Sequence, residues 1–133
     1  MNKFTASPRV AILTYENLDA FEFGCAVELF ATPRPELEAW YQADILGVSA
    51  GPVKATGGIT VQTDKVIDDL TEYDLLVIPG WTSIDVKPPE HLVDAILEMH
   101  QKGGRIMALG LGVFALAATG LLDGKKATTH WSM

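Results

Sequence analysis

Gly103-Gly104-Arg105-Ile106-Met107-Ala108-Leu109-Gly110-Leu111-Gly112-Val113-Phe114-Ala115-Leu116-Ala117 is the stretch that decides the fold. Its first half is a short apolar run bounded by glycines, the pattern of a strand buried on both faces. Gly110 supplies a sharp turn, and the residues from Gly112 read as a buried helix. A strand, a glycine turn and a helix in that order make one step of an open α/β sheet. In such sheets ligands settle at the carboxyl ends of strands, against the following helix N-terminus. A small molecule is therefore expected over Gly110.

Upstream, the same alternation repeats. Arg9 to Tyr15 after Pro8 reads as a central strand, rich in Val, Ile and Leu. Asp19 is a good N-cap for a helix running to about Phe30, with Phe23, Ala26, Val27 and Phe30 on one face. Pro33 stops that helix. Tyr41 to Val48 is a second strand. Pro52 to Thr56 and Ile59 to Thr63 flank Gly57-Gly58, a hairpin signal, because both glycines tolerate positive φ. Lys65 to Leu70 is predicted as a short helix and Asp74 to Ile78 as a buried strand ending at Pro79-Gly80-Trp81. Pro88-Pro89-Glu90 opens a helix closed by Lys102-Gly103. Strands alternating with helices imply a doubly wound, mostly parallel α/β sheet with helices on both faces. Ala127 to His130 looks like a further strand beginning, so the chain reads as one domain over 1–133 that stops short of its C-terminal portion.

Composition narrows the function classes. At 133 residues the chain is long enough to enclose a core as a single domain. A formal net charge of −7 argues against gripping a phosphate backbone, which requires clustered Lys and Arg. The single cysteine, Cys25, leaves no internal disulfide and fits a reducing cytoplasm. Ile106 to Leu122 carries no charge, but Gly110, Gly112 and Gly120 interrupt it, so no membrane span is expected.

Several residues could carry chemistry. Gly110-x-Gly112-x-x-Ala115 matches a short dinucleotide fingerprint, yet it comes late in the chain and lacks the acidic residue at the end of the next strand. The same turn suits a nucleophile elbow, but Gly110 has no side chain and Leu111 no reactive one. Cys25 lies inside the first helix and reads as a small buried hydrophobe. Glu22 stands at the start of that helix, where it either faces the Gly110 turn or rests as a dipole-stabilised surface acid. Glu28, on another face, reads as solvated, and His91 and His100 as exposed. His130, between Thr129 and Trp131, is either a packed histidine or a catalytic one. Trp81 reads as a pocket wall. No set of His, Cys, Asp and Glu has metal-ligand spacing, and no cofactor is expected.

Four segments together resemble the DJ-1/PfpI superfamily, whose fold is flavodoxin-like and related to class I glutamine amidotransferases. They are Phe21-Glu22-Phe23-Gly24 through Glu28-Leu29-Phe30, Val77-Ile78-Pro79-Gly80-Trp81, Arg105 through Ala117, and Gly120-Leu121-Leu122-Asp123-Gly124-Lys125-Lys126-Ala127-Thr128-Thr129-His130-Trp131. More narrowly, the chain resembles the N-terminal sensor domain of AraC-type regulators of the GlxA/FtrA kind. In enzymes of the superfamily an elbow cysteine works with an acid from the first helix and often a histidine further on. The resemblance implies the acid at Glu22, the cysteine position at Gly110 and the histidine at His130. It also implies donor amides near Gly80-Trp81 and at Leu111. With the thiol gone, the covalent route is lost, which implies a pocket that binds without catalysing.

The resulting expectation is a ligand-sensing or dimerising domain of a transcriptional regulator. Its ligand is a small metabolite held by Glu22, Gly80, Trp81, Gly110, Leu111 and His130. The expected assembly is a homodimer, with DNA reached only through helix-turn-helix modules outside this chain. Two alternatives stand beside it: a hydratase, amidase or glyoxalase-like enzyme using Glu22 and His130 on water, and a purely structural assembly module.

Overall fold

A computed structural model describes residues 7–129. β1 (Arg9–Thr14) lies at the centre of a five-stranded sheet. β2 (Gln42–Gly47) flanks it on one side, paired in parallel from Arg9 opposite Gln42 to Thr14 opposite Gly47. β6 (Leu75–Pro79) flanks it on the other and pairs in turn with β7 (Arg105–Leu109). β3 (Val53–Lys54) and β4 (Thr60–Val61) form a separate antiparallel hairpin. β5 (Lys65–Val66) completes the sheet beside β2, giving the order β5-β2-β1-β6-β7 with every pair parallel.

The two faces of the sheet follow from strand alternation. Ala11 and Leu13 of β1 and Leu76 and Ile78 of β6 point to one side. There they pack with Leu92, Ile96 and Met99 of α2 (Glu90–Gln101) and with Ala115 and Leu116 of α3 (Gly112–Ala117). Val10, Ile12 and Val77 point to the other side, against Ala26 of α1 (Ala20–Ala26) and Phe30. Leu92, Ile96 and Met99 are fully buried, each stabilising the helix dock by about 1.5–3 kcal/mol. The doubly wound architecture read from the sequence is the one observed.

Capping follows the sequence closely. The Asp19 side chain accepts from Glu22 N–H at 3.0 Å, which holds the first turn of α1. Beyond Ala26 the helix widens into a π turn over Val27–Ala31, closed by Thr32 N–H to Val27 C=O at 3.0 Å, just before Pro33. At the hairpin, Gly57 and Gly58 adopt φ of 78° and 80°. Thr56 then fixes the hairpin to the turn after β1, its hydroxyl donating to Leu18 C=O at 3.1 Å.

Four local expectations need correction. Lys65 to Leu70 is not a helix: Lys65–Val66 is an edge strand and the rest is irregular. The apolar spacing of Ile67 and Leu70 suggested a helix, but Ile67 N–H continues the ladder to Gly47 C=O at 2.8 Å. β7 is not buried on both faces, since it forms the sheet edge and Met107 is exposed. Cys25 is exposed rather than buried, because α1 and the π turn after it direct Ala26 and Phe30 to the core and Cys25 away from it. Ala127 to Thr129 is not in a strand, and His130 lies outside the described residues. Among the described residues, no helix is long and apolar enough to cross a membrane.

Candidate functional site

The chain winds outward from β1 first to β2 and later to β6, so the winding reverses between β1 and β6. Ligand clefts of open α/β sheets form at the carboxyl ends of strands at such a switch point. Three segments converge there: the β1–α1 turn, the turn after β6 and the turn after β7. Glycine makes the convergence possible.

Gly110 adopts φ of 51°, a left-handed conformation that side chains disfavour. A Cβ built on it would overlap Glu22 Oε1 and lie 2.8 Å from Glu22 Cδ and Oε2. The Glu22 carboxylate thus rests against the Gly110 backbone, in the space a side chain at position 110 would enter. Its Oε2 is buried, which resolves the two sequence readings of Glu22 in favour of the one facing Gly110. Gly80 has φ of 91°, and a Cβ there would overlap the Tyr15 hydroxyl and stand 3.3 Å from Glu22 Oε2. At Gly112 a Cβ would overlap Ile78 C=O. This third glycine lets α3 start directly against the end of β6.

Glu22 is set from its own helix. Asp19 caps Glu22 N–H, and Glu22 sits in the first turn of α1, where the helix dipole favours a carboxylate. Thr129 returns to the turn, its hydroxyl donating to Gly110 C=O at 2.7 Å. That contact brings the segment ending at Thr129 back to the carboxyl edge.

Other expected site residues fall less simply. Leu111 opens α3 as its N-cap residue, next to Gly110, and packs against the main core. The Gly80 amide is not aimed at a ligand: it donates to Leu109 C=O and to Ile78 C=O, each at 3.1 Å. Trp81 is buried, its indole N–H donating to Val86 C=O at 2.6 Å and its ring 5.4 Å from that of Tyr15. It stands behind Tyr15. Tyr15 and Thr129 were missed from sequence; a tyrosine closing a buried strand needs a partner for its hydroxyl, and that was the available signal.

The family profile described as DJ-1/PfpI family matches residues 8–133. The chain belongs to the DJ-1/PfpI family. An uncharacterised protein in the cpoL 5' region of Streptomyces lividans is 30% identical over 129 residues, spanning 96% of this chain and 91% of that protein. The HTH-type transcriptional regulator CdhR of Pseudomonas aeruginosa is 34% identical over 92 residues, 68% of this chain. The match takes in only 27% of CdhR. Among solved structures, an AraC family transcriptional regulator from Pseudomonas putida superposes with a TM-score of 0.76 at 21% identity. That superposition covers 94% of this chain and 68% of the regulator chain. The shared fold and the regulator relatives agree with the resemblance carried by the sequence segments.

Proposed function

We propose that this chain is a ligand-sensing and dimerising domain of an AraC-type transcriptional regulator, and that its site binds without catalysing. One observation carries the second half: the Glu22 carboxylate fills the space at Gly110 that a nucleophilic side chain would enter. The elbow geometry is kept, with its left-handed φ, while no attacking atom stands at position 110. Without that atom no covalent intermediate forms, whatever the neighbouring acid does. The regulator relatives support the first half.

The ligand in this reading is a small nitrogenous or carbonyl metabolite lying over Gly110. Glu22 and Leu111 line it, and Trp81 supports the wall through Tyr15; the expected role of His130 falls outside the described residues. Gly80 contributes its shape and not its amide, which is already engaged. Ligand occupancy shifts DNA-binding modules outside this chain, a coupling between two sites. Phe21 of α1, 78% exposed, and exposed Leu29 of the π turn that follows supply apolar surface for a homodimer.

A thermal-shift screen of nitrogenous and carbonyl metabolites against the wild type and Glu22→Gln tests the reading. A compound that raises the wild-type melting temperature, is not consumed and loses its effect in Glu22→Gln is the expected result. A compound consumed by the wild type and spared by Glu22→Gln would sink the non-catalytic reading. A screen in which nothing stabilises the wild type would sink sensing.

A further inference from the structure

Tyr15 is a buried polar residue at the carboxyl edge, 2% exposed, immediately after β1. Its hydroxyl donates to Pro79 C=O at 2.6 Å and accepts from Asp19 N–H at 3.1 Å. A phenol has one proton to give and lone pairs to receive, so both bonds are made at once. Burial, the largest influence, pushes the phenol far above its ordinary pKa. The Asp19 and Glu22 carboxylates add to the rise against an opposing contribution from Asp19 N–H, so the donor stays protonated.

These bonds form a relay. Pro79 C=O is the end of β6 and leads into Gly80, whose Cα faces both the Tyr15 hydroxyl and Glu22 Oε2. Asp19 N–H belongs to the N-cap of α1, and the Asp19 carboxylate in turn holds Glu22 N–H. We propose that Tyr15 is the positioning residue of this site: its hydroxyl ties the Pro79-Gly80 turn to the start of α1 and so sets the Glu22 carboxylate against Gly110. The functional meaning of that role rests on the carboxyl edge being the ligand site. Tyr15→Phe keeps the ring against Trp81 but leaves a buried C=O and a partly buried N–H without their partner. The start of α1 then shifts, and Glu22 moves away from the turn.

The test is steric and needs no ligand. Gly110→Ala places a methyl group where Glu22 Oε1 now rests. If Tyr15 holds Glu22 there, the melting-temperature loss from Gly110→Ala shrinks by roughly 2–4 °C in a Tyr15→Phe background. Tyr73→Phe is the control, since it removes another hydrogen-bonded hydroxyl, partly buried and bonded to Asp44 at 2.7 Å, away from this edge. There the two losses add. In parallel, the Glu22 side-chain carboxyl carbon, labelled with ¹³C and assigned through Glu22→Gln, shifts in Tyr15→Phe and not in Tyr73→Phe. Additive losses with Tyr15→Phe, an unmoved Glu22 resonance, or equal effects in Tyr73→Phe would each overturn the proposal. If Tyr15→Phe does not fold, Asp19→Ala cuts the next link, between the Asp19 carboxylate and Glu22 N–H, and is read the same way. Because no ligand enters, a failed metabolite screen with non-additive losses would sink sensing and keep Tyr15. Additive losses with a bound ligand would do the reverse.

Discussion

Substituting alanine at Gly110 and, separately, at Gly112 separates two kinds of close approach at the carboxyl edge. At Gly110 the φ of 51° costs about 1–2 kcal/mol for any residue with a Cβ. The new methyl also meets Glu22 Oε1, the far end of a side chain that can swing, so the steric share is about 1 kcal/mol, the low end for overpacking. The sum is about 2–3 kcal/mol, or roughly 6–15 °C in melting temperature for a domain of this size. At Gly112 no left-handed penalty applies, but the methyl meets Ile78 C=O, which belongs to a central strand and cannot move aside. That contact costs about 3 kcal/mol or more. Adding Glu22→Ala returns the steric share at position 110 and none of the loss at 112. Urea unfolding followed by circular dichroism reads all of these. Losses for Glu22→Ala and Gly110→Ala that add within about 0.5 kcal/mol would refute the placement of Glu22, as would equal relief at Gly112.

Further outcomes follow from other parts of the molecule. Asp44 is held below the usual carboxylate range, chiefly by the Tyr73 hydroxyl and then by Lys65 and Arg9. A depressed carboxylate contributes stability above its unfolded pKa and loses it as pH falls through the folded value. Acid titration of unfolding should therefore be shallower below about pH 4 in Asp44→Asn; an unchanged slope would contradict the assignment. Cys25, being exposed, reacts with a thiol reagent in the native protein within roughly tenfold of its rate in denaturant, whereas a buried thiol would be far slower. Trp81→Ala costs about 3–5 kcal/mol, measurable by chemical denaturation, because a buried ring and a satisfied indole are both lost. In the proposed homodimer Phe21→Asp weakens self-association without lowering monomer stability, read by sedimentation; an unchanged association would place the interface elsewhere or contradict dimerisation.

The sequence made the sheet legible because each element announces itself locally. Ile106–Leu109 between glycines, Asp19 before a helix and Gly57-Gly58 between two short strands need no distant information. What covers an apolar residue is not local. Met107 reads as core but lies on the edge strand, and only the strand order reveals that. The inward face of the first helix, Phe23, Ala26, Val27 and Phe30, was legible from its spacing, whereas Cys25 was read as buried only because thiols inside helices usually are. Lys65 to Leu70 failed because its extended form is set by Gly47 C=O on another strand. At the site, Glu22 and Gly110 were legible through their resemblance to an acid and an elbow. The engaged Gly80 amide and the Tyr15 relay were not, because both depend on how three separated turns meet.

The most direct measurement of the central claim follows one compound and two amides together. The best stabilising metabolite is titrated into ¹⁵N-labelled wild type while the Gly110 and Leu111 amide resonances and the compound's own proton spectrum are recorded. A site that binds without catalysing gives saturable shifts of both amides, none in Glu22→Gln, and a compound recovered unchanged after prolonged incubation. Conversion of the compound, or saturable binding that leaves Gly110 and Leu111 unmoved, would contradict it.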